Sequence, residues 1–173
     1  MSSACSHLLI ESGDLPEIVL FPGDPGRAER IAERFETMEK LAENREYHTY
    51  RGTVGGVEVG AISTGVGSSG AAICFEEAIH AGARILIRVG TAGSIHDDVR
   101  SGDLVVVTGA VRGDGTTRQL VPIEVPAIAD PDVIAALWET ATKDGPAHRG
   151  VGVTLDAFYN GILDLGLDAY ARS

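Results

Sequence analysis

The 173-residue sequence has little cysteine and no excess of positive charge, and each shortage excludes a class of protein. Its two cysteines, Cys5 and Cys74, are too few for a disulfide-rich scaffold and lack the spacing of a zinc site, so no metal is expected. With 25 acidic residues against 14 Lys and Arg, the formal net charge is −11. Such a surface repels phosphate backbones and anionic lipids, so neither a nucleic acid nor a membrane is expected as a partner.

Long apolar runs and targeting signals are also missing. No stretch approaches the roughly 20 apolar residues that a membrane-spanning helix needs. The first residues contain no positive segment followed by an apolar run, which a signal peptide would have. The sequence therefore predicts a cytoplasmic protein.

Nucleotide-cofactor chemistry has little support as well. No Gly-Lys-Ser or Gly-Lys-Thr is present, so a Walker A loop is excluded. The glycine-rich turn at 65–70 superficially resembles a dinucleotide-binding fingerprint, but no acidic residue ends the next strand at Leu86 or Ile87. We therefore expect no nucleotide cofactor.

What the sequence does contain is a repeated pattern of β-branched runs, glycine-rich turns and helical segments. Asp130 is the expected N-cap of a helix that Pro131 opens, and residues 113–126 are expected to form a long loop. The alternation predicts a single α/β domain over residues 1–173, with helices on both faces of a sheet. Strands are predicted at 18–21, 57–62, 84–89, 104–111 and 151–154, with helices after the first two.

The turn at Gly23–Arg27 has the features of an anion-binding turn. A strand that ends at the start of a helix presents backbone N–H groups, and an arginine beside them can bind phosphate oxygens. The alternative is an ordinary strand-to-helix turn with a solvated Arg27. This motif alone does not distinguish the two.

Arg88 favours the anion interpretation. Its neighbours, Ile85 to Val89, are otherwise apolar, so we expect a buried strand, in which a charge is costly unless it is paired. A structural ion pair with a buried carboxylate is the alternative. Thr91 would add a hydroxyl and a backbone N–H at the same strand end.

Other polar residues, taken alone, are weaker evidence for a binding site. Arg45 lies in an alternating segment, 44–50, that is typical of a strand, and a surface charge is its simplest interpretation. His7 is a polar residue near a terminus. The helix residues Glu76, Glu77 and His80 are expected on the solvated face, without a role.

Five segments, in this order and spacing, resemble the nucleoside phosphorylases of the uridine phosphorylase and hexameric purine nucleoside phosphorylase type. They are 19–27 (VLFPGDPGR), 44–47 (NREY), 63–67 (STGVG), 88–93 (RVGTAG) and 156–159 (DAFY). The resemblance implies a three-layer α-β-α fold with a central mixed sheet. It also implies a pentosyltransferase of nucleoside salvage, which uses inorganic phosphate as co-substrate and no cofactor to cleave uridine or a purine nucleoside.

The resemblance implies the site residues as well. Arg45 and His7 come from a neighbouring subunit in the family, where His7 touches the ribose, so a homo-oligomer built from dimers is implied. The resemblance further implies that Phe158 packs against the base. Some members hold potassium through the counterpart of Glu46, but the serine that they also use falls at Gly70 here. The phosphate-binding residues that the resemblance implies are Gly23, Arg27, Arg45, Arg88 and Thr91.

Two departures from the family pattern leave alternatives open. The glutamine and arginine that read uracil are not found after 158–161, so a purine substrate is possible. The ribose-binding Glu-Met-Glu, and the catalytic Asp that protonates the base in purine-specific members, would lie beyond Ser173, and no Glu-Met-Glu is present. Three alternatives stay open: a truncated phosphorylase, a chain completed by another polypeptide, and a catalytically inactive phosphate- or nucleoside-binding subunit. A nucleosidase is less favoured, because hydrolysis does not need an arginine cluster.

Overall fold

The structure is a computed structural model, and it describes residues 5–157. The chain divides into two compact units, Met1–Thr91 and Ala92–Ser173. The prediction of a single domain over residues 1–173 stays a prediction.

The first unit contains a mixed five-stranded sheet in the order β2-β3-β4-β1-β5. Strand β1 pairs in parallel with β4 and β5, whereas β2, β3 and β4 form an antiparallel meander. The strands are β1 (Ile18–Pro22), β2 (Thr37–Asn44), β3 (Tyr47–Val54), β4 (Val57–Ile62) and β5 (Ile85–Val89), and the helices are α1 (Pro25–Ala32) and α2 (Ser68–Ala81).

Helices cover both faces of this sheet, because successive strand residues point to opposite sides. Tyr50 and Ala61 pack with the buried alanines of α1 in one cluster. Val19, Phe21 and Ile62 pack with α2 in the other. The expected mixed sheet between two helical layers is therefore confirmed.

The segment before β1 belongs to the α2 side of the core. Leu8 and Ile10 are fully buried in the α2 cluster. The backbone N–H groups of Gly13 and Leu15 both donate to the carbonyl of Ala81, at the end of α2. The N-terminal segment is thus fixed to α2 by apolar packing and by backbone hydrogen bonds.

The second unit contains a three-stranded sheet in the order β7-β6-β8, in which β6 pairs in parallel with β8 and antiparallel with β7. Helix α4 packs against β6 and β8, and the Arg149 guanidinium lies 4.4 Å from the centre of the Trp138 ring. The elements are β6 (Leu104–Gly113), α3 (Gly115–Leu120), β7 (Ala127–Ile128), α4 (Pro131–Asp144) and β8 (Ala147–Leu155).

Several expectations about local structure need correction. Residues 113–126 are not one long loop, because Asp114 caps the short helix α3 by accepting a hydrogen bond from Thr117 N. Segment 44–50 is not one strand: Arg45 has a φ of 54° and lies in the turn between β2 and β3. The five predicted strands are confirmed, as is the Asp130 N-cap of α4.

Strand β5 is not buried as expected. It lies at the edge of the five-stranded sheet, and Arg88 is exposed. The predicted burial of Arg88 is therefore wrong, and the evidence for an anion at Arg88 comes from the groups that surround its guanidinium.

Within residues 5–157, none of the helices has both the length and the apolar character that crossing a bilayer requires.

Candidate active site

The end of β1 and the start of α1 form a closely bonded turn. Asp24 is the N-cap of α1, and its carboxylate accepts a hydrogen bond of 2.8 Å from Arg27 N. On the other side, Gly65 N donates to Gly23 O over 2.9 Å, which extends the pairing of β1 with β4 beyond the strands themselves. Arg27 is thereby fixed on the first turn of α1, at the strand end predicted to bind an anion.

Arg88 reaches the same strand end from β5. Arg88 pairs with Phe21 across the sheet. Its Nη1 donates to the carbonyls of Phe21 (2.9 Å) and Val89 (2.8 Å). A Cβ placed on Gly23 would lie 3.3 Å from Nη2, and one on Gly90 would lie 3.1 Å from Nη1. Glycine at both positions therefore leaves the space that the guanidinium occupies.

The charges around Arg88 are unbalanced. Partial desolvation lowers the pKa of Arg88, and the nearby positive charge of Arg27 lowers it further. Among the ion pairs formed within residues 5–157, none involves Arg27 or Arg88. Two neighbouring guanidinium groups without a carboxylate repel each other, and a bound anion would relieve that repulsion.

Thr91 follows Gly90 directly after β5 and is exposed. The strand ends at Val89, so Thr91 lies just past the end of the strand that carries Arg88. The carboxyl ends of the paired parallel strands β1 and β5 therefore bring together four predicted phosphate-binding residues: Gly23, Arg27, Arg88 and Thr91. Ligands of α/β sheets collect at such strand ends.

His7 and Arg45 form a second group, around the β2–β3 turn. Asn44 Nδ2, next to Arg45, donates to the carbonyl of His7 over 2.8 Å. The ring of His7 contacts the ring of Tyr47 edge to face, with centroids 6.4 Å apart. His7 therefore contacts residues on both sides of Arg45 in the sequence, Asn44 and Tyr47.

Glu46 occupies the position between the two groups. A Cβ on Gly65, which has a φ of +70°, would lie 2.6 Å from Glu46 Cγ, so only glycine fits there. The carboxylate of Glu46 also approaches Gly70: a Cβ at that position would lie 3.7 Å from Oε1. Within residues 5–157, no group of three or more His, Cys, Asp or Glu is arranged to hold a metal ion.

Comparison with known proteins identifies the family of this chain. The sequence model of the Phosphorylase superfamily matches residues 17–167. The chain belongs to the Phosphorylase superfamily. The match includes both strand ends and the arginines that they carry.

Two curated relatives in the superfamily differ in the base that their names specify. Uridine phosphorylase of Treponema pallidum is 42% identical over 155 residues, covering 88% of this chain and 60% of that protein. Guanosine phosphorylase of Halorubrum lacusprofundi is 41% identical over 155 residues, covering 89% of this chain and 64% of that protein. The chain thus spans less than two thirds of the length of either relative.

Solved structures in the superfamily share the fold. Uridine phosphorylase from Vibrio fischeri superposes with a TM-score of 0.93 at 30% identity, covering 98% of this chain and 72% of that one. Purine nucleoside phosphorylase from Toxoplasma gondii, in complex with immucillin-H, gives a TM-score of 0.91 at 36% identity, covering 99% and 71%. The phosphorylase-like fold predicted from the sequence is confirmed.

Glu77 is a residue that sequence reasoning missed. The sequence predicts Glu77 on the solvated face of α2, but its side chain is only 17% exposed, and its carboxylate binds the His7 ring at 2.7 Å. The partner lies 70 residues earlier in the chain, so no local pattern could have revealed the pair.

Arg112 is a second missed residue, in the other unit. It is buried, and its guanidinium donates to Thr117 Oγ1 and to backbone carbonyls of the segment that follows it. A buried arginine saturated by carbonyls organises a loop rather than binding an anion. The carbonyl acceptors are those of Thr117, Val121, Pro122 and Val125.

The predicted base-binding residue, Phe158, lies outside the described residues. The preceding strand end is described: Asp156 Oδ2 accepts a hydrogen bond of 2.8 Å from Gly115 N, at the start of α3. Strands β6 and β8 end in register, with Gly113 opposite Leu155. Asp156, two positions before Phe158 in the sequence, is therefore bound to the start of α3.

Proposed function

We propose that the chain acts as a nucleoside phosphorylase, a pentosyltransferase that cleaves the N-glycosidic bond of a nucleoside with inorganic phosphate. Ribose 1-phosphate and the free base are the products. Membership of the superfamily and relatives named for this activity support the proposal. The observation that carries it is the placement of the Arg88 guanidinium against Gly23 and Gly90, near the positive charge of Arg27. Neither arginine has a carboxylate partner within residues 5–157.

The proposed phosphate site uses Gly23, Arg27, Arg88 and Thr91. Guanidinium donors would bind and orient the phosphate, which is a weak nucleophile when fully hydrated. One phosphate oxygen forms a bond to C1′ as the bond from C1′ to the base nitrogen breaks, and the base leaves with the electron pair and takes up a proton. The sugar is oxocarbenium-like at this point, so the negative phosphate beside it stabilises the transition state.

A homo-oligomer whose dimers share sites is part of the proposal. His7 and Arg45 are grouped around the β2–β3 turn. Such a group would complete the site of a second copy, with Arg45 on the phosphate and His7 on the ribose. The cytoplasmic location stays a prediction.

The base is left open between a pyrimidine and a purine. The relatives include a uridine and a guanosine phosphorylase at almost equal identity, 42% and 41%. Phe158 is proposed to pack against either base, because an aromatic face is apolar and does not distinguish hydrogen-bonding edges. The substrate panel that tests the function therefore has to include both classes of base.

The test is release of free base from uridine, guanosine, inosine and adenosine, with and without phosphate. The proposal predicts release that requires phosphate and yields ribose 1-phosphate. Equal release without phosphate would replace it with a nucleosidase. Phosphate binding in a calorimetric titration, without release from any nucleoside, would replace it with a binding subunit.

A further inference from the structure

The carboxylate of Glu77 is enclosed by donors from one short segment. Its Oε2 accepts hydrogen bonds from Leu8 N at 2.8 Å and His7 N at 3.0 Å. Its Oε1 lies 2.7 Å from His7 Nδ1. One side chain of α2 therefore binds both the backbone and the ring of the segment that contains the proposed ribose residue.

Glu77 is ionised in this setting. Burial alone raises the pKa of Glu77, but the hydrogen bonds from Leu8 N and from the ring and backbone of His7 outweigh it, so that the pKa of Glu77 is lowered. An ionised carboxylate has no proton to donate. The close contact with His7 Nδ1 consequently requires that Nδ1 carries the proton.

The His7 ring is also fixed from its other sides. Asn44 Nδ2 holds the His7 carbonyl, and the Tyr47 ring contacts the imidazole edge to face. The next residue, Leu8, is fully buried in the core. The imidazole itself stays accessible, with 37% of its side chain exposed, and Nε2 forms no hydrogen bond within residues 5–157.

We propose that Glu77 is a positioning residue that fixes His7 as the Nδ1–H tautomer and so presents Nε2 as a hydrogen-bond acceptor. The group that Nε2 would accept from is a hydroxyl, and at a nucleoside site this is a hydroxyl of the sugar. This second step rests on the proposed function. The first step concerns the protein alone and can be measured without substrate.

The tautomer is tested by the ¹⁵N chemical shifts of the His7 ring in ¹⁵N-histidine-labelled protein, above the pH at which imidazole is protonated. The signals are assigned by their loss in His7→Ala. The wild type is expected to show a protonated Nδ1 and an unprotonated Nε2. Glu77→Gln is expected to lose this pattern, because an amide nitrogen cannot accept from the donors that the carboxylate binds.

Two further variants separate positioning from general damage to the fold. Glu76→Gln removes the exposed neighbouring carboxylate on α2 and should leave the His7 shifts unchanged. Glu77→Asp keeps a carboxylate and should restore the Nδ1–H pattern at least in part. A wild-type ring protonated at Nε2, or unchanged shifts in Glu77→Gln, would overturn the positioning role.

The sugar contact is tested by nucleoside affinity, measured as KM or by calorimetric titration. Glu77→Gln should weaken nucleoside affinity about tenfold with phosphate affinity unchanged. The double variant with His7→Ala should be no weaker than His7→Ala alone, because Glu77 acts through His7. Unchanged nucleoside affinity in a variant with a lost tautomer would overturn the sugar contact.

The two arms also separate this inference from the proposed function. Failure of phosphate-dependent release in every variant, including the wild type, would count against the phosphorylase proposal. The ring shifts would still decide whether Glu77 fixes the His7 tautomer.

Discussion

The two compact units differ in how completely their sheets are covered. In the first, helices α1 and α2 pack on opposite faces, and Val19, Phe21, Tyr50 and Ile62 are fully buried. In the second, between residues 92 and 157, the buried residues are Val106, Arg112, Asp114 and Ala141. The proposed phosphate-binding residues all lie in the first unit, whose sheet is covered on both faces.

This difference indicates where rigidity resides. A packed sheet holds strand ends at fixed separations, which an anion site with two arginines requires. The second unit exposes apolar side chains along its strands, such as Leu104 at 51% and Val151 at 67%, and depends more on the hydrogen bonds of Arg112. We therefore expect the first unit to resist unfolding and the second to respond most to loss of polar contacts.

The largest predicted effect compares the same substitution on a strand of each unit. In Gly52→Ala, the new Cβ would lie 1.9 Å from the carbonyl oxygen of Thr37 on the paired strand. We expect a loss of about 3 kcal/mol in the free energy of unfolding. In Gly150→Ala the new Cβ meets nothing within 4 Å, and the change should stay within about 0.5 kcal/mol. Urea unfolding measures both, and equal losses would contradict the difference in packing.

The next effect concerns the second unit. Arg112→Ala removes the donors to several carbonyls of residues 117–125 and should cost about 2 kcal/mol. Hydrogen exchange should rise in residues 113–126 and stay unchanged in the sheet of the first unit. Arg118→Ala, an exposed arginine on α3, is the control and should change little. If exchange rose equally in both units, the proposed local role of Arg112 would be wrong.

The smallest effect depends on pH and returns to the first unit. Because the pKa of Glu77 is lowered below its ordinary value of 4.5, folding is stabilised above that value, and the contribution disappears as the pH falls through the lowered pKa. The wild type should exceed Glu77→Gln in stability by about 1 kcal/mol near neutral pH. The two should converge in acid. A difference that stays constant down to low pH would mean that the Glu77 charge plays no part.

The anion-binding half of the site could be predicted because its signals are local. Gly23 and Arg27 lie within one turn, and Arg88 is a charge in an otherwise apolar strand. The predicted burial of Arg88 is nevertheless wrong, since β5 is an edge strand and Arg88 is exposed. Strand order is a non-local property, and hydrophobic pattern alone does not reveal which strand lies at an edge.

Residues whose role depends on distant partners could not be predicted. Glu77 has the spacing of a solvated helix residue, and its function depends on His7, 70 positions away. The alternation of residues 44–50 predicts a strand at Arg45, but a positive φ at a non-glycine residue leaves no periodic signal. Helix α3 has six residues, too few to show a helical period.

The central claim is that Arg27 and Arg88 bind the phosphate that the reaction uses. The most direct test is the phosphate dependence of base release in Arg88→Gln, with Arg84→Gln, an exposed arginine just before β5, as the matched control. We expect the KM for phosphate to rise about 10- to 100-fold in Arg88→Gln and to stay unchanged in Arg84→Gln. An identical phosphate dependence in wild type and Arg88→Gln would contradict the claim.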